Sequence, residues 1–190
     1  MRRTRWALFL SGRGSNAQVA FDLQSQIDLV LVVSNTANAP GVCKARRHGV
    51  PVYITEKKID WDQVHQQLLL RQVDFIFLLG FMKVLPARFV NLWAGRIINL
   101  HPSLLPAYPG LAAIEKSYSD GAAMGVTVHL VVAKIDAGPI LLQQKVLSPA
   151  SGQHHSLTLR AAQFLISRTE QRLVREVFLR GTHWIQQSLP

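Results

Sequence analysis

Two polar residues, Asn99 and His101, stand close together in an otherwise apolar, proline-stiffened stretch. The segment Arg96–Asn99 reads as a short buried strand, and Pro102 cannot donate to a sheet ladder, so the strand is expected to end here. Residues two apart in a strand face the same way. We therefore expect both side chains to point into one crevice, an amide donor beside an imidazole that exchanges its proton near neutral pH.

A second segment that could do chemistry, Ser11–Asn16, follows a predicted strand and opens a predicted helix. Its two glycines allow close backbone approach, and the free N–H groups of a helix start bind anions, so a phosphate is the expected occupant. With Ala17 the segment also fits the dinucleotide pattern G-x-G-x-x-G/A, although Asn35 at the end of the second strand is not acidic. A tight turn that binds nothing is the third interpretation.

One carboxylate, Asp136, lies in a turn between apolar flanks and is a third candidate. An ordinary Asp-Ala-Gly turn is an equally fair interpretation of it. His129 lies in the middle of a predicted strand. A lone histidine in a strand is typically a hydrogen-bonded structural residue.

The elements that must position these residues follow from apolar runs that alternate with amphipathic stretches. This pattern predicts one α/β domain, Rossmann-like, with a mostly parallel twisted sheet and helices on both faces. Ligands of such folds bind beyond the carboxyl ends of the strands. The predicted strands, the last two partly antiparallel, are Trp6–Leu10, Asp28–Val33, Val52–Ile54, Phe75–Leu79, Arg96–Asn99, Val126–Val132 and Ile140–Val146. The predicted helices are Asn16–Gln26, Val42–His48, Asp60–Gln72, Ala87–Trp93, Leu111–Ser119 and His155–Arg180.

Length and composition narrow the class of protein. With 190 residues, 48% of them hydrophobic, the chain can bury a full core as a single domain, 1–190. No apolar run approaches the ~20 residues of a membrane helix, so no membrane partner is expected. The lone Cys43 excludes an intrachain disulfide and suits a reducing cytoplasm. The net charge of +10 attracts anions, but the arginines are spread along the chain, which makes nucleic acid an unlikely partner.

The order of these motifs resembles the phosphoribosylglycinamide formyltransferases, within the 10-formyltetrahydrofolate-dependent formyltransferase superfamily. The resemblance runs from Ala7 to about Val146. It is carried by the segments Ser11–Asn16, Val32–Pro51, Phe77–Leu85, Ile98–Leu111, Gly125–Val131 and Ile135–Val146. It implies that Asn99, His101 and Asp136 are the catalytic residues, and that His129 lies behind them and supports them.

The same resemblance assigns the binding residues and the co-substrate. It implies a substrate-phosphate turn at Gly14, Ser15 and Asn16, and a contact from Glu170 to the ribose hydroxyls. It implies a phosphate-binding half at about 1–95 and a folate-binding, catalytic half at about 96–190. The co-substrate would be 10-formyltetrahydrofolate, with small-molecule substrates, no metal ion and a possible homodimer. The residues implied around the folate are Met82, Lys83, Val84, Leu85, Val131 and Ile135.

The trio also makes chemical sense from its residue types. Formyl transfer to an amine passes through a tetrahedral oxyanion, and an Asn99 amide aimed at that oxygen can contribute about 3 kcal/mol. His101 can stabilise the same oxyanion and help to move the proton from the attacking amine to the leaving nitrogen. Asp136 would orient His101 and accept a proton. Holding two substrates side by side can supply a further ~7–11 kcal/mol.

Several positions depart from the resembled pattern. Histidines usual after the Pro-Gly-Leu tripeptide are replaced by Ala112, Ala113 and Ile114, and acidic residues before Asp136 by Ala133 and Lys134. The expected function is formyl transfer from 10-formyltetrahydrofolate to glycinamide ribonucleotide in purine biosynthesis. Three alternatives stay open: transfer to another amine, such as an amino sugar nucleotide or aminoacyl-tRNA; a weakly active relative that binds folate or nucleic acid; and a nicotinamide-dependent oxidoreductase.

Overall fold

Strands and helices alternate along the chain, as the sequence predicts. The computed structural model describes residues 2–148, 157–180 and 185. The strands are β1 Arg5–Leu10, β2 Asp28–Ser34, β3 Val52–Ile54, β4 Phe75–Leu78, β5 Ile97–His101, β6 Met124–Leu130 and β7 Ile140–Leu147. The helices are α1 Ser15–Asp22, α2 Pro40–Arg47, α3 Trp61–Leu70, α4 Ala87–Leu92, α5 Ala113–Ser119 and α6 Leu159–Arg180.

The strands form one seven-stranded sheet in the order β3-β2-β1-β4-β5-β6-β7. Strands β1 to β5 pair in parallel, while β6 and β7 join as antiparallel additions. The predicted fold class, a single-domain α/β fold with a mostly parallel sheet, is confirmed. The strand order reverses between β1 and β4, and ligands of open α/β sheets bind in the crevice at such a point.

Helices cover both faces of the sheet because the side chains of each strand alternate between them. On β1, Trp6, Leu8 and Leu10 belong to the core beneath α1, α2 and α6, whereas Ala7 and Phe9 belong to the core beneath α3 and α4. All five are at most 2% exposed, so β1 is buried from both sides. A strand covered in this way reads as a continuous apolar run, which is why the sequence reveals it.

Several predicted boundaries differ from the structure, among them those of β5 and α5. Strand β5 continues to His101, because His101 still pairs with Thr127 of antiparallel β6 before Pro102 ends the ladder. Helix α5 begins at Ala113 rather than Leu111, because Ala112 adopts a left-handed conformation (φ 57°) as its N-cap.

The helices α1 and α6 are also shorter than predicted. Helix α1 ends at Asp22, because the chain then makes tight turns, in which Gln26 N–H donates to the Leu23 carbonyl (2.7 Å) before β2 begins. Helix α6 begins at Leu159, and the predicted start at His155 lies outside the described residues.

Candidate active site

Strand β5 brings Asn99 and His101 to the same crevice, on the strand that joins the parallel and antiparallel parts of the sheet. Asn99 pairs in register with His129 of β6, and both lie beside the turn that carries Asp136. The period-two spacing therefore predicted the shared orientation of Asn99 and His101 correctly. The strand register adds His129 to the group, a neighbour that spacing alone does not reveal.

Asp136 is the centre of this cluster, which we call the carboxylate hub (Asn99, His101, His129 and Asp136). Its Oδ2 lies 3.3 Å from His101 Nδ1, and its Oδ1 lies 3.4 Å from His129 Nε2. Asn99 Nδ2 donates to Oδ1 at 3.3 Å, and the Gly110 backbone N–H donates to Oδ2 at 2.8 Å. Because the Asp136 side chain is only 9% exposed, protein groups replace its hydration.

The Asp136 carboxyl group stays ionised although it is buried. Burial alone would raise the pKa of the carboxyl group, because it disfavours the charged form. The hydrogen bond with His129, the Gly110 N–H and the charges of the two histidines outweigh that effect and lower the pKa from 3.8 to about 2. Asp136 is therefore a carboxylate at any pH at which the protein would work.

His101 is held by acceptors at both ring nitrogens. Nε2–H donates to the Tyr108 carbonyl at 2.8 Å, and Nδ1 faces the Asp136 carboxylate. The Tyr108 carbonyl and the Asp136 carboxylate together fix the direction of the His101 ring.

His129 and Asn99 share the other side of the carboxylate. His129 Nδ1–H donates to the Leu130 carbonyl at 2.9 Å, which leaves Nε2 directed toward the hub. Asn99 Nδ2 lies 3.2 Å from that Nε2. The Asn99 amide is therefore held between His129 and Asp136.

A cleft of about 420 Å³ opens above the hub. Its walls include every residue that the sequence placed near the folate, and all four hub residues line its base. Part of the rim is apolar and open to solvent, since Met82 is 63% and Ile135 56% exposed. Such a cleft suits a flat, partly apolar ligand with a few polar atoms. The cleft residues that the family resemblance places around the folate are Met82, Lys83, Val84, Leu85, Val131 and Ile135.

The departures from the resembled pattern divide between this cleft and the surface. Ala112, Ala113 and Ile114 line the cleft, together with Ala133, so their small or apolar side chains form part of its wall. Lys134 is exposed and is not one of the lining residues. The changed histidine positions therefore alter the wall of the cleft, while the hub keeps its polar residues.

The turn at Gly14, Ser15 and Asn16 forms a second part of the site. Gly14 is the left-handed N-cap of α1 (φ 64°), and no side chain caps the first helical turn. The exposed helix start can therefore accept an anion. Asn16 Nδ2 donates to Glu170 Oε2 at 3.2 Å, so the structure brings Glu170 of α6 to this turn. Burial raises the pKa of Glu170 to about 6, partly offset by the hydrogen bond from Asn16.

Ser11 joins the loop that leads to the Gly14–Asn16 turn with the cleft. Its Oγ accepts from the Met82 backbone N–H at 2.8 Å and donates to Asn35 Oδ1 at 2.5 Å. Sequence reasoning gave Ser11 no role of its own. Asn35, which follows β2, is thus held by Ser11. A dinucleotide site would need an acidic residue at this position to bind the ribose. This contact gives no support to the nicotinamide alternative.

Two further residues escaped the sequence interpretation because they act through their backbones. Tyr108 (φ 54°) supplies the carbonyl that holds His101, and Gly110 (φ 77°) supplies the N–H that holds Asp136. The Pro109-Gly110 pair predicts a turn but not its target. The Tyr108–Gly110 turn therefore fixes two members of the hub at once.

Comparison with known proteins agrees with this geometry. Residues 4–165 match the formyl transferase family. The chain belongs to that family. Membership of this family implies a folate-derived formyl donor. The resemblance seen in the sequence motifs is thus confirmed.

Among residues 2–148, 157–180 and 185, no three His, Cys, Asp or Glu side chains form a group that could hold a metal ion.

Individual members of the family share most of this chain. Phosphoribosylglycinamide formyltransferase of Escherichia coli strain K12 is 34% identical over 164 residues, which are 80% of this chain and 77% of that protein. The trifunctional purine biosynthetic protein adenosine-3 of Drosophila melanogaster is 39% identical over 172 residues, 84% of this chain, but the matched part spans only 13% of that protein.

A solved formyl transferase also has this fold. The crystal structure of glycinamide ribonucleotide transformylase 1 from Geobacillus kaustophilus superimposes with a TM-score of 0.85 at 31% identity, over 93% of this chain and 97% of that chain. In the described part of our chain, no helix is both long and apolar enough to cross a membrane.

Proposed function

We propose that this formyl transferase moves a formyl group from 10-formyltetrahydrofolate to the amine of glycinamide ribonucleotide, in purine biosynthesis. The observation that carries the proposal is the carboxylate hub, in which a buried Asp136 carboxylate contacts Asn99, His101 and His129 at the base of a ligand-sized cleft. The names of the relatives from Escherichia coli and Geobacillus kaustophilus support the same reaction.

The reaction joins the acceptor amine to the formyl carbon and breaks the bond from that carbon to the folate nitrogen. One proton leaves the amine, and one reaches the folate nitrogen. In the intermediate the formyl oxygen carries a negative charge. Groups that bind this charge more strongly than the neutral carbonyl lower the barrier.

Asn99 is the proposed amide donor to that oxygen. Its 3.3 Å hydrogen bond to Asp136 is long, so the amide can exchange it for a shorter, charge-assisted bond to the oxyanion. His129 would help to keep the amide in place, since its Nε2 lies 3.2 Å from Asn99 Nδ2.

His101 and Asp136 would supply the charge and the proton transfer. The Tyr108 carbonyl and Asp136 hold the His101 ring in a fixed orientation, from which it would donate a hydrogen bond to the developing oxyanion. The ionised Asp136 carboxylate can receive the amine proton, directly or through water.

The acceptor is proposed to bind across both parts of the site. Its phosphate would bind at the Gly14–Asn16 turn, and its ribose hydroxyls would approach Glu170, which lies 3.2 Å from the Asn16 side chain. The cleft would hold the pterin of the folate against Met82–Leu85, Val131 and Ile135. The division into a phosphate half, 1–95, and a folate half, 96–190, stays a prediction. Glu170 of the second half lies beside Asn16, and Met82 of the first half lines the cleft.

We also infer a cytoplasmic location, in keeping with the single free Cys43. The possible homodimer and the absence of a nucleic-acid partner stay predictions.

The test is a formyl-transfer assay with several acceptors. Purified protein, 10-formyltetrahydrofolate and glycinamide ribonucleotide are mixed, and folate release is followed by absorbance. We expect turnover with glycinamide ribonucleotide, weaker turnover with the same compound without its phosphate, and none with an amino sugar nucleotide. Asn99→Ala should abolish most turnover, while the exposed Asn91→Ala should not. Equal rates for wild type and Asn99→Ala would contradict the proposal.

A further inference from the structure

Helix α2 packs directly against the Gly14–Asn16 turn through two glycines. A Cβ atom on Gly14 would lie 2.7 Å from the Cα of Gly41, and a Cβ atom on Gly41 would lie 3.0 Å from the Gly12 carbonyl oxygen. The Gly41 N–H also donates to the Gly12 carbonyl at 3.1 Å. The first turn of α2 is therefore fixed against the loop that follows β1.

One turn further along α2, Lys44 lies on the same side of the helix as Gly41. Its Nζ is 3.5 Å from the Gly14 carbonyl oxygen, and the residue is half-buried. In the described part of the chain, Lys44 forms no ion pair with a carboxylate. An ammonium group has three hydrogens, and the long contact with Gly14 occupies at most one of them.

We propose that Lys44 is a further substrate-binding residue, whose ammonium group binds the phosphate monoester of the acceptor at the Gly14–Asn16 turn. This inference rests on the proposed function for the identity of the acceptor. The helix start offers backbone N–H groups, but these carry only partial charge. Lys44 supplies the full positive charge that a phosphate dianion needs when it leaves water.

The arrangement also gives the turn a direction. Lys44 lies near Gly14, whereas Glu170 lies near the Asn16 side chain. A phosphoribosyl group would then place its phosphate at Lys44 and its hydroxyls, which donate hydrogen bonds, at Glu170. This orientation directs the amine end of the acceptor away from α2.

Binding of ribose 5-phosphate, measured by calorimetry, tests Lys44 without any turnover. Lys44→Met removes the charge, and Arg46→Met is the matched control because Arg46 is an exposed cation of the same helix. We expect Lys44→Met to weaken binding by ~10-fold or more, as loss of a charge-assisted hydrogen bond requires. Arg46→Met should bind within about twofold of the wild type, and Lys44→Arg should recover most of the affinity.

Steady-state kinetics with glycinamide ribonucleotide are the second test of the role of Lys44. Lys44→Met should raise KM for this acceptor by ~10-fold or more, with kcat within about threefold of the wild type and KM for the folate unchanged. Thermal unfolding shows whether each variant is folded, and Lys44→Gln replaces Lys44→Met if the latter is not.

The outcomes separate the two proposals. Wild-type affinity for ribose 5-phosphate in Lys44→Met, or no binding of it by the wild type, overturns the role of Lys44. Equal losses in Lys44→Met and Arg46→Met also overturn it, since they indicate the general charge of the protein. If the wild type transfers no formyl group but Lys44→Met still weakens ribose 5-phosphate binding, the proposed function fails and the role of Lys44 in binding phosphate stands.

Discussion

Replacement of Asp136 by Asn removes the charge at the centre of the site and nearly preserves its shape. In the wild type the surroundings lower the pKa of this carboxyl group from 3.8 to about 2, despite its burial. Nearly two pKa units correspond to ~2.5 kcal/mol of net stabilisation of the charged form. If formyl transfer uses this interaction fully, Asp136→Asn lowers kcat on the order of 10²-fold.

The assay is steady-state formyl transfer to glycinamide ribonucleotide at pH 6 and pH 8. Because the pKa of Asp136 is about 2, the wild-type carboxylate is ionised at both values, and the loss should be the same at each. Asp62→Asn, an exposed carboxylate whose side chain is 65% exposed, is the matched control and should keep wild-type activity. A kcat for Asp136→Asn above about a third of the wild-type value would refute this reasoning.

The same shift gives a stability prediction with a definite sign. A carboxyl group whose pKa is lower in the folded state stabilises that state above its unfolded pKa of 3.8. This contribution is lost as the pH falls through the folded pKa of about 2. Between pH 4 and pH 2 the free energy of unfolding should therefore fall more in the wild type than in Asp136→Asn, as measured by urea titration.

Three other substitutions have defined outcomes. Asn99→Ala should lower kcat on the order of 10²-fold in the transfer assay and leave both KM values unchanged, since the amide acts on the oxyanion. Glu170 has a pKa raised from 4.5 to about 6, so its burial should lower the free energy of unfolding by up to ~2 kcal/mol as the pH rises through that range. Urea titrations of Glu170→Gln should lack this decline. Gly14→Ala should destabilise the fold by ~2 kcal/mol or more in thermal melts, because its Cβ would meet Gly41. Gly121→Ala, equally left-handed but in open space, should lose only ~1 kcal/mol.

The part of the fold that the sequence predicts is the part set by local patterns. The apolar run of β1 and the period-two placement of Asn99 and His101 both follow from strand geometry, and both are found in the structure. The glycine-rich turn before α1 is also predictable from a local pattern, because Gly14 adopts a positive φ, which glycine tolerates without strain.

The remaining contacts of the site depend on long-range register and on backbone atoms. The antiparallel pairing of β6 with β5 places His129 opposite Asn99. His129 belongs to the hub for this reason alone. Tyr108 and Gly110 act through a carbonyl and an N–H that every residue except proline possesses, so their identity carries no chemical signal. Lys44 reaches the Gly14–Asn16 turn only because α2 packs there.

The most direct test of formyl transfer follows the formyl carbon itself. The protein is incubated with glycinamide ribonucleotide and 10-formyltetrahydrofolate labelled with carbon-13 in the formyl group, and the products are observed by nuclear magnetic resonance. Our account predicts that the label appears in a new formamide on the acceptor, in a one-to-one ratio with released tetrahydrofolate, and that Asn99→Ala slows its appearance. Label recovered as free formate, or retained on the folate, would contradict it.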